Sequence, residues 1–458
     1  MEQIKNKELK NDLKLEAVNQ FSDFLKIEEE FLLDKIELDK GIGKNNLLKE
    51  NTFLLFLAVI TKIPLIIVGK PGTGKSLSAQ LIYKSMRGIY SKNKFFQKFP
   101  QIIQTYFQGS ESTQPEDVEK VFEMGGNKLQ FYIKKNIKKE ELPISMILFD
   151  ELGLAEKSET NPLKVLHSKL EYAGKEEGVS FIGISNYSLD AAKVNRALYL
   201  SVPNLEDKVD HLIETCKSIV ESISEDLIKN TIFEILAKAY YDYKNTLYFI
   251  KELTALKQLK ESKGEEYIKK KQFSEIKNFN EFKNLLKKEK KIKVDFHGNR
   301  DLYNFIKGIA REIGRLNELE DDKVVLIIEK YIERNFGGID YEIDIDLDLK
   351  PTDIEDKIKS VIEILREFII RDRRRTRQQE KIKVTSVFLF KKIYNLACNT
   401  EDSYKIKTNR ITRYDLNECI NDNITDNNRY LLLEIKPSLA SLIYQNIKIQ
   451  NPDKKTDF

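Results

Sequence analysis

A chain of 458 residues with 41% hydrophobic content is long enough to bury at least two cores, because single cores stop growing near ~250–300 residues. Its 77 Lys and Arg nearly cancel 73 Asp and Glu, leaving a net charge of +4; that balance argues against nucleic acid or a membrane surface as the main partner. Cys216, Cys398 and Cys419 lie far apart and only three histidines accompany them, which excludes a disulfide scaffold or a spaced zinc framework and fits a reducing compartment.

The opening stretch, MEQIKNKELKNDLKLEAV, alternates charges and shows no basic start followed by an apolar core. Residues 1–35 therefore read as a helical linker, with no secretory signal and a cytoplasmic location as the expectation. The most apolar window, FLLFLAVITKIPLIIV at 53–68, is broken by Lys62 and Pro64 and is shorter than the ~18–20 residues of a membrane span. From 36 to 204, short β-branched or aromatic runs alternate with helical patterns: IPLIIV (63–68), QIIQTYF (101–107), ISMILF (144–149), VSFIGIS (179–185) and ALYLSV (197–202). This alternation predicts an α/β domain built on a five-stranded, mainly parallel sheet with helices on both faces. From 205 to 338 the strands give way to long helical patterns such as DKVDHLIETCKSIVESI and DLYNFIKGIAREIGRL, read as a helical second domain. Within it, 260–293 is rich in charge and reads as a solvated insertion. Residues 339–458 form a mainly helical extension without a single glycine, so no second phosphate loop can lie there. Its basic run RDRRRTRQ (371–378) reads as a solvated face.

GKPGTGKS, spanning Gly69, Lys70, Pro71, Gly72, Thr73, Gly74, Lys75 and Ser76, matches G-x-x-x-x-G-K-[ST] between a predicted strand and a predicted helix. Glycines let successive backbone N–H groups face inward as an anion nest, and the helix that opens with Ser76 and Leu77 adds its positive end. The matching ligand is the triphosphate of ATP. Lys75 would reach the outer phosphates and the Ser76 hydroxyl would join a Mg²⁺ shell. A second acidic site is needed to place the metal and the water, and ISMILFDE supplies it: Asp150 as metal ligand and Glu151 as the group that orients and polarises water. A sheet of this type would place SFIGIS between those two strands in space, bringing Asn186 at its end toward the γ-phosphate or the water. An Asn after a strand is equally a turn former.

Beyond these motifs, LLKENTFLLFLAVITKIPLIIVGKPGTGKS, FQGSESTQPEDVEKVFE, LFDELGLAEKSETNPLKVLHSKLE, FIGISNYSLDAAKVNRALYLSVP, DFHGNRDLYNFIK and ERNFGG resemble successive blocks of one AAA+ module of the mysterin-type family, giant ring-finger proteins with dynein-like ATPase modules. The resemblance covers roughly Glu29 to Gly338. It implies a P-loop NTPase of AAA+ type followed by a helical lid. It also implies that Asn186 matches sensor 1, Arg196 the arginine finger and Arg300 the sensor 2 arginine. An arginine finger would be supplied in trans, to a neighbouring AAA+ module or a second copy in a homo-oligomer. Three scattered cysteines cannot form the family's RING, so ubiquitin ligase activity is not expected from this chain alone. DNNRYLLLEIKPSLASLIYQN resembles the linker toward a further module, which fits a piece of a longer protein as well as a stand-alone subunit.

These readings converge on an ATP-hydrolysing module whose lid and core move to remodel a protein partner that the sequence does not identify. Two alternatives differ in class: an ATP-binding assembly or scaffold module with little hydrolysis, and a nucleic-acid motor, which the near-neutral charge weakens.

Overall fold

The computed structural model describes residues 2–135, 142–172, 178–190, 195–224, 226–227, 231–263, 296–316, 320–343, 382–398 and 404–406. Residues 264–293 of the predicted insertion at 260–293, the basic run 371–378 and the linker-like segment 426–446 lie outside them. Contacts divide the chain into two units, Met1–Glu225 with Gly298–Arg300, and Asp226–His297 with Asp301–Phe458.

The first unit opens with helix α1 (Glu2–Asp34) and helix α2 (Asn46–Thr61). Asn45 caps α2: its side chain accepts from the Leu48 N–H at 2.9 Å, satisfying one of the donors that a helix start leaves open. Lys62 ends it in the left-handed region at φ 55, and Pro64 two residues later prevents its resumption. The chain then enters β1 (Leu65–Val68) and, through the glycine-rich loop, α3 (Lys75–Ser85). There follow β2 (Ile102–Gln108), α4 (Pro115–Lys134), β3 (Ile144–Asp150), the single turn α5 (Leu152–Ala155), α6 (Val165–Tyr172), β4 (Ser180–Ser185), β5 (Leu198–Ser201) and α7 (Val209–Ile223).

All five strands are parallel, in the order β2-β3-β4-β1-β5. Strand β4 lies between β3 and β1, as the sequence implies. Every residue of β1 and β4, and Ile144–Phe149 of β3, is buried, the mark of a sheet covered on both faces. On one face Ile66, Val68, Ile147, Phe149 and Phe181 pack with Val118, Val121 and Phe122 of α4 and Leu166 and Leu170 of α6. Phe122 stacks on Phe181 at 5.7 Å between ring centres. Each such side chain contributes roughly 1.5–3 kcal/mol by leaving water. Helix α2 covers β3 and β4 on the sheet's other face. Strand β5 forms one edge, and Leu198 and Tyr199 are exposed on it.

Helix α7 groups with this first unit although it follows residue 204. The strap before α2 docks on it: the Gly41 N–H donates to Ser222 Oγ (3.0 Å) and Asn45 Nδ2 to Thr215 Oγ1 (3.0 Å).

The second unit contains α8 (Ile232–Lys263), all but the first two residues of α9 (Asn299–Ile313), α10 (Asp321–Phe336) and α11 (Ser386–Ala397). Its core is aromatic, with Phe336 stacked on Phe390 at 4.1 Å. Helices α9 and α10 approach so closely that a Cβ at Gly308 would lie 1.9 Å from the Tyr331 ring. A short antiparallel pair, β6 (Asp340–Ile343) with β7 (Ile382–Thr385), was not anticipated in the helical extension. Buried Tyr341 opposite buried Val384 holds it to the unit; four-residue strands are too short for alternation to stand out in sequence.

Candidate functional site

The C-terminal ends of β1, β3 and β4 converge on one place, because in a parallel sheet the loops after neighbouring strands emerge at the same edge. The loop after β1 carries Gly69–Ser76. Gly72 and Gly74 adopt φ 85 and 83, the left-handed region that side chains resist. Gly69 is needed for a different reason: a Cβ there would lie 2.9 Å from that of Val202. Lys75 opens α3 and is 4% exposed. Its ammonium donates to the carbonyls of Gly69 (2.6 Å) and Lys70 (2.8 Å) and reaches Thr73 Oγ1 at 3.4 Å. Burial pushes its pKa down to about 8, against the pull of Asp150 and Glu151 and with a smaller push from Arg300.

Ser76 Oγ donates to Asp150 Oδ2 at 3.3 Å, and the Glu151 N–H donates to Asp150 Oδ1 at 2.9 Å. Glu151 itself stands at φ 53, a conformation that costs a non-glycine residue about 1–2 kcal/mol and that tends to mark functional positions. The backbone is crowded there, since a Cβ on Gly109 would come within 2.7 Å of the Glu151 carbonyl oxygen. Asn186, one residue past β4, donates through Nδ2 to both oxygens of Glu151, at 2.9 and 3.0 Å. Arg300 and Asn299 lie beside the glycine loop: a Cβ on Gly72 would meet that of Asn299 at 2.9 Å and the Arg300 nitrogen at 3.6 Å.

Thus Gly69, Gly72, Thr73, Gly74, Lys75, Ser76, Asp150, Glu151, Asn186 and Arg300 are brought together, while other sequence candidates are placed elsewhere. Lys70 is half exposed and pairs with Glu206 at 3.6 Å. Pro71 is exposed and Leu77 half-buried. Arg196 is not at this site. Register sets Leu198 opposite Leu65, so Arg196, in the turn just before β5, lies toward the opposite end of the strands from the glycine loop that follows Val68. It pairs with Glu171 of α6 at 2.8 Å.

Three nearby residues escaped the sequence reading. Asn51 of α2 is 1% exposed and donates from Nδ2 to the Thr73 carbonyl at 3.0 Å; an amide within a largely apolar helix was the available signal. Asn299 is buried at 3%, with Oδ1 lacking a hydrogen-bond partner. Tyr106 on β2 has its phenol pushed up by burial and then by Asp150 and Glu151.

The residues present fit a nucleoside triphosphate with a divalent cation. A desolvated ammonium and left-handed glycines at a helix start suit phosphate oxygens. A hydroxyl beside a carboxylate is the small protein share of a Mg²⁺ shell that phosphates complete.

The family model for the RNF213 AAA domain matches residues 41–208. E3 ubiquitin-protein ligase rnf213-beta of Danio rerio is 36% identical over 220 residues, and E3 ubiquitin-protein ligase RNF213 of Homo sapiens is 35% identical over 227. This segment is an AAA+ module of the mysterin (RNF213) family. Each match takes in 46% of this chain and 4% of the relative, so the chain spans a small part of the curated relatives' length. A solved structure of C. elegans PCH-2 aligns over 47% of this chain and 63% of its own, at 13% identity and a TM-score of 0.28, a likeness too slight to add to the fold argument. The AAA+ assignment rests on the sheet order, the glycine loop and the family match together. Among the described residues, no helix is long and apolar enough to cross a membrane.

Proposed function

We propose that this mysterin-type module binds Mg²⁺-ATP and hydrolyses it, using turnover to move its lid and remodel a protein partner. The observation that carries the reading is the convergence at one edge of the sheet of Ser76 on Asp150 and Asn186 on Glu151, through bonds of 2.9–3.3 Å, beside the buried Lys75 of the glycine loop. Lys75 would exchange its carbonyl partners for phosphate oxygens, neutralising charge in a buried place. Ser76 and Asp150 would hold the cation, which when bound supplies Lewis-acid stabilisation of charge on the phosphoryl oxygens. Glu151 would accept a hydrogen bond from the attacking water and Asn186 would fix the carboxylate that does so. Arg300 adds positive charge beside the loop. Arg196, distant from its own loop and exposed near an edge strand, would serve the site of a neighbouring AAA+ module or of a second copy. The ligase activity of the far longer relatives is not assigned to this chain.

One observation favours a second reading, an ATP-binding assembly module with little turnover. Both Glu151 oxygens already accept from one amide, which leaves the carboxylate less capacity for water. The experiment that separates the two is a pair of variants. Lys75→Ala should lose ATP affinity, because a buried triphosphate loses its counter-charge. Glu151→Gln should bind ATP as the unaltered protein does and release no phosphate. If unaltered protein binds ATP and turns over no faster than Glu151→Gln, the assembly reading replaces the first.

A further inference from the structure

Helix α2 buries the stripe Leu48, Asn51, Thr52, Leu55 and Val59, and within it Asn51 is the wrong residue for packing alone. Its Oδ1 is buried with no hydrogen-bond partner, a state that destabilises a fold and that an apolar residue of similar size would relieve. The amide makes one bond in return, Nδ2 to the carbonyl of Thr73 at 3.0 Å, and a carbonyl partner settles which end of the amide faces the loop.

That bond controls the direction of a peptide plane. The Thr73–Gly74 peptide is trans, so its C=O and N–H point opposite ways. With the carbonyl held toward α2, the Gly74 N–H is turned away from α2. Gly74 stands at φ 83, and glycine visits positive and negative φ about equally. The residue that lets the loop turn therefore also leaves this peptide free to flip, and a flipped peptide would aim a carbonyl dipole at an incoming anion. Thr73 is itself steadied by its hydroxyl, which donates to the Lys70 carbonyl at 2.9 Å, but that bond does not fix the plane beyond its Cα.

We propose that Asn51 is a positioning residue for phosphate: it holds the Thr73–Gly74 peptide with its carbonyl outward, so that the Gly74 N–H joins the anion nest. The inference rests on the ATP-binding reading and adds the group that sets the nest's shape from outside it.

The test compares ATP, ADP and adenosine on unaltered protein, Lys75→Ala, Asn51→Leu and Asn51→Asp, with calorimetry for the nucleotides and displacement for adenosine. Unaltered protein binding ATP, with loss in Lys75→Ala, establishes the site. Asn51→Leu should then weaken ATP and ADP about tenfold, ~1.4 kcal/mol, and leave adenosine unchanged, while the thermal midpoint without nucleotide holds or rises. Asn51→Asp, which sets a carboxylate against the carbonyl, should weaken them further and stands in should the leucine variant fail to fold. Equal losses for adenosine, ADP and ATP would make Asn51 merely structural, and unchanged ATP affinity would make it irrelevant; either overturns this inference and leaves the ATP-binding reading standing. Unaltered protein that binds no ATP removes both.

Discussion

The buried Lys75 gives ATP binding a pH dependence whose sign follows from its surroundings. Desolvation lowers its pKa from 10.5 to about 8, a penalty on the charged form of roughly 3 kcal/mol at 1.36 kcal/mol per unit. Triphosphate beside the ammonium should return the pKa to at least its ordinary value. Below about pH 8 the lysine is charged in both free and bound protein, and affinity is at its plateau. Above that, the free protein must take up a proton to bind, and affinity falls by up to tenfold per pH unit until the bound-state pKa is reached. Between pH 7.5 and 9.5 the expected loss is roughly twentyfold. Calorimetric titration of ATP across that range, repeated in two buffers of different ionisation enthalpy, reads both the affinity and the proton uptake. A flat profile, or the same decline in Lys75→Met, would refute the assignment of a desolvated lysine to the phosphate site.

Two further outcomes follow from positions on the sheet. Arg196→Ala should bind ATP and hydrolyse it ~10³–10⁵-fold more slowly if its guanidinium acts on another site, and mixing it with Glu151→Gln should restore turnover; a mixture that assembles, binds ATP and stays inactive would place the arginine's role within its own chain. Gly109→Ala drives a methyl group to 2.7 Å from the Glu151 carbonyl, so phosphate release should fall more than tenfold while ATP affinity stays within threefold, with ~1–3 kcal/mol of stability lost by denaturant titration; undiminished release would show that the Glu151 turn does not matter.

Much of the site was legible because its chemistry is local in sequence. The glycine loop, the strand that ends in Asp150 and Glu151, and the strand before Asn186 each announce themselves within a dozen residues. Strands covered on both faces leave unbroken apolar runs such as PLIIV and SMILF, which is why their bounds could be read to within a residue or two. What was not legible depends on distant partners. Nothing in ENTFLLF says that Asn51 reaches a carbonyl 22 residues on, and nothing near Arg196 names Glu171. The left-handed turn at Glu151 was equally hidden, since glutamate has no preference for it and its neighbours there, Gly109 among them, are distant in sequence. The β6–β7 pair joins segments about 40 residues apart through four-residue strands, below the length at which periodicity speaks.

The central claim is turnover at this site with help from a second one. Its most direct measurement is phosphate release from ATP per chain across a wide range of protein concentration, for unaltered protein and Glu151→Gln side by side. The account predicts a rate that rises with concentration in the first and is absent in the second, with ATP bound by both. Equal rates in the two proteins, or no ATP bound by either, would contradict it.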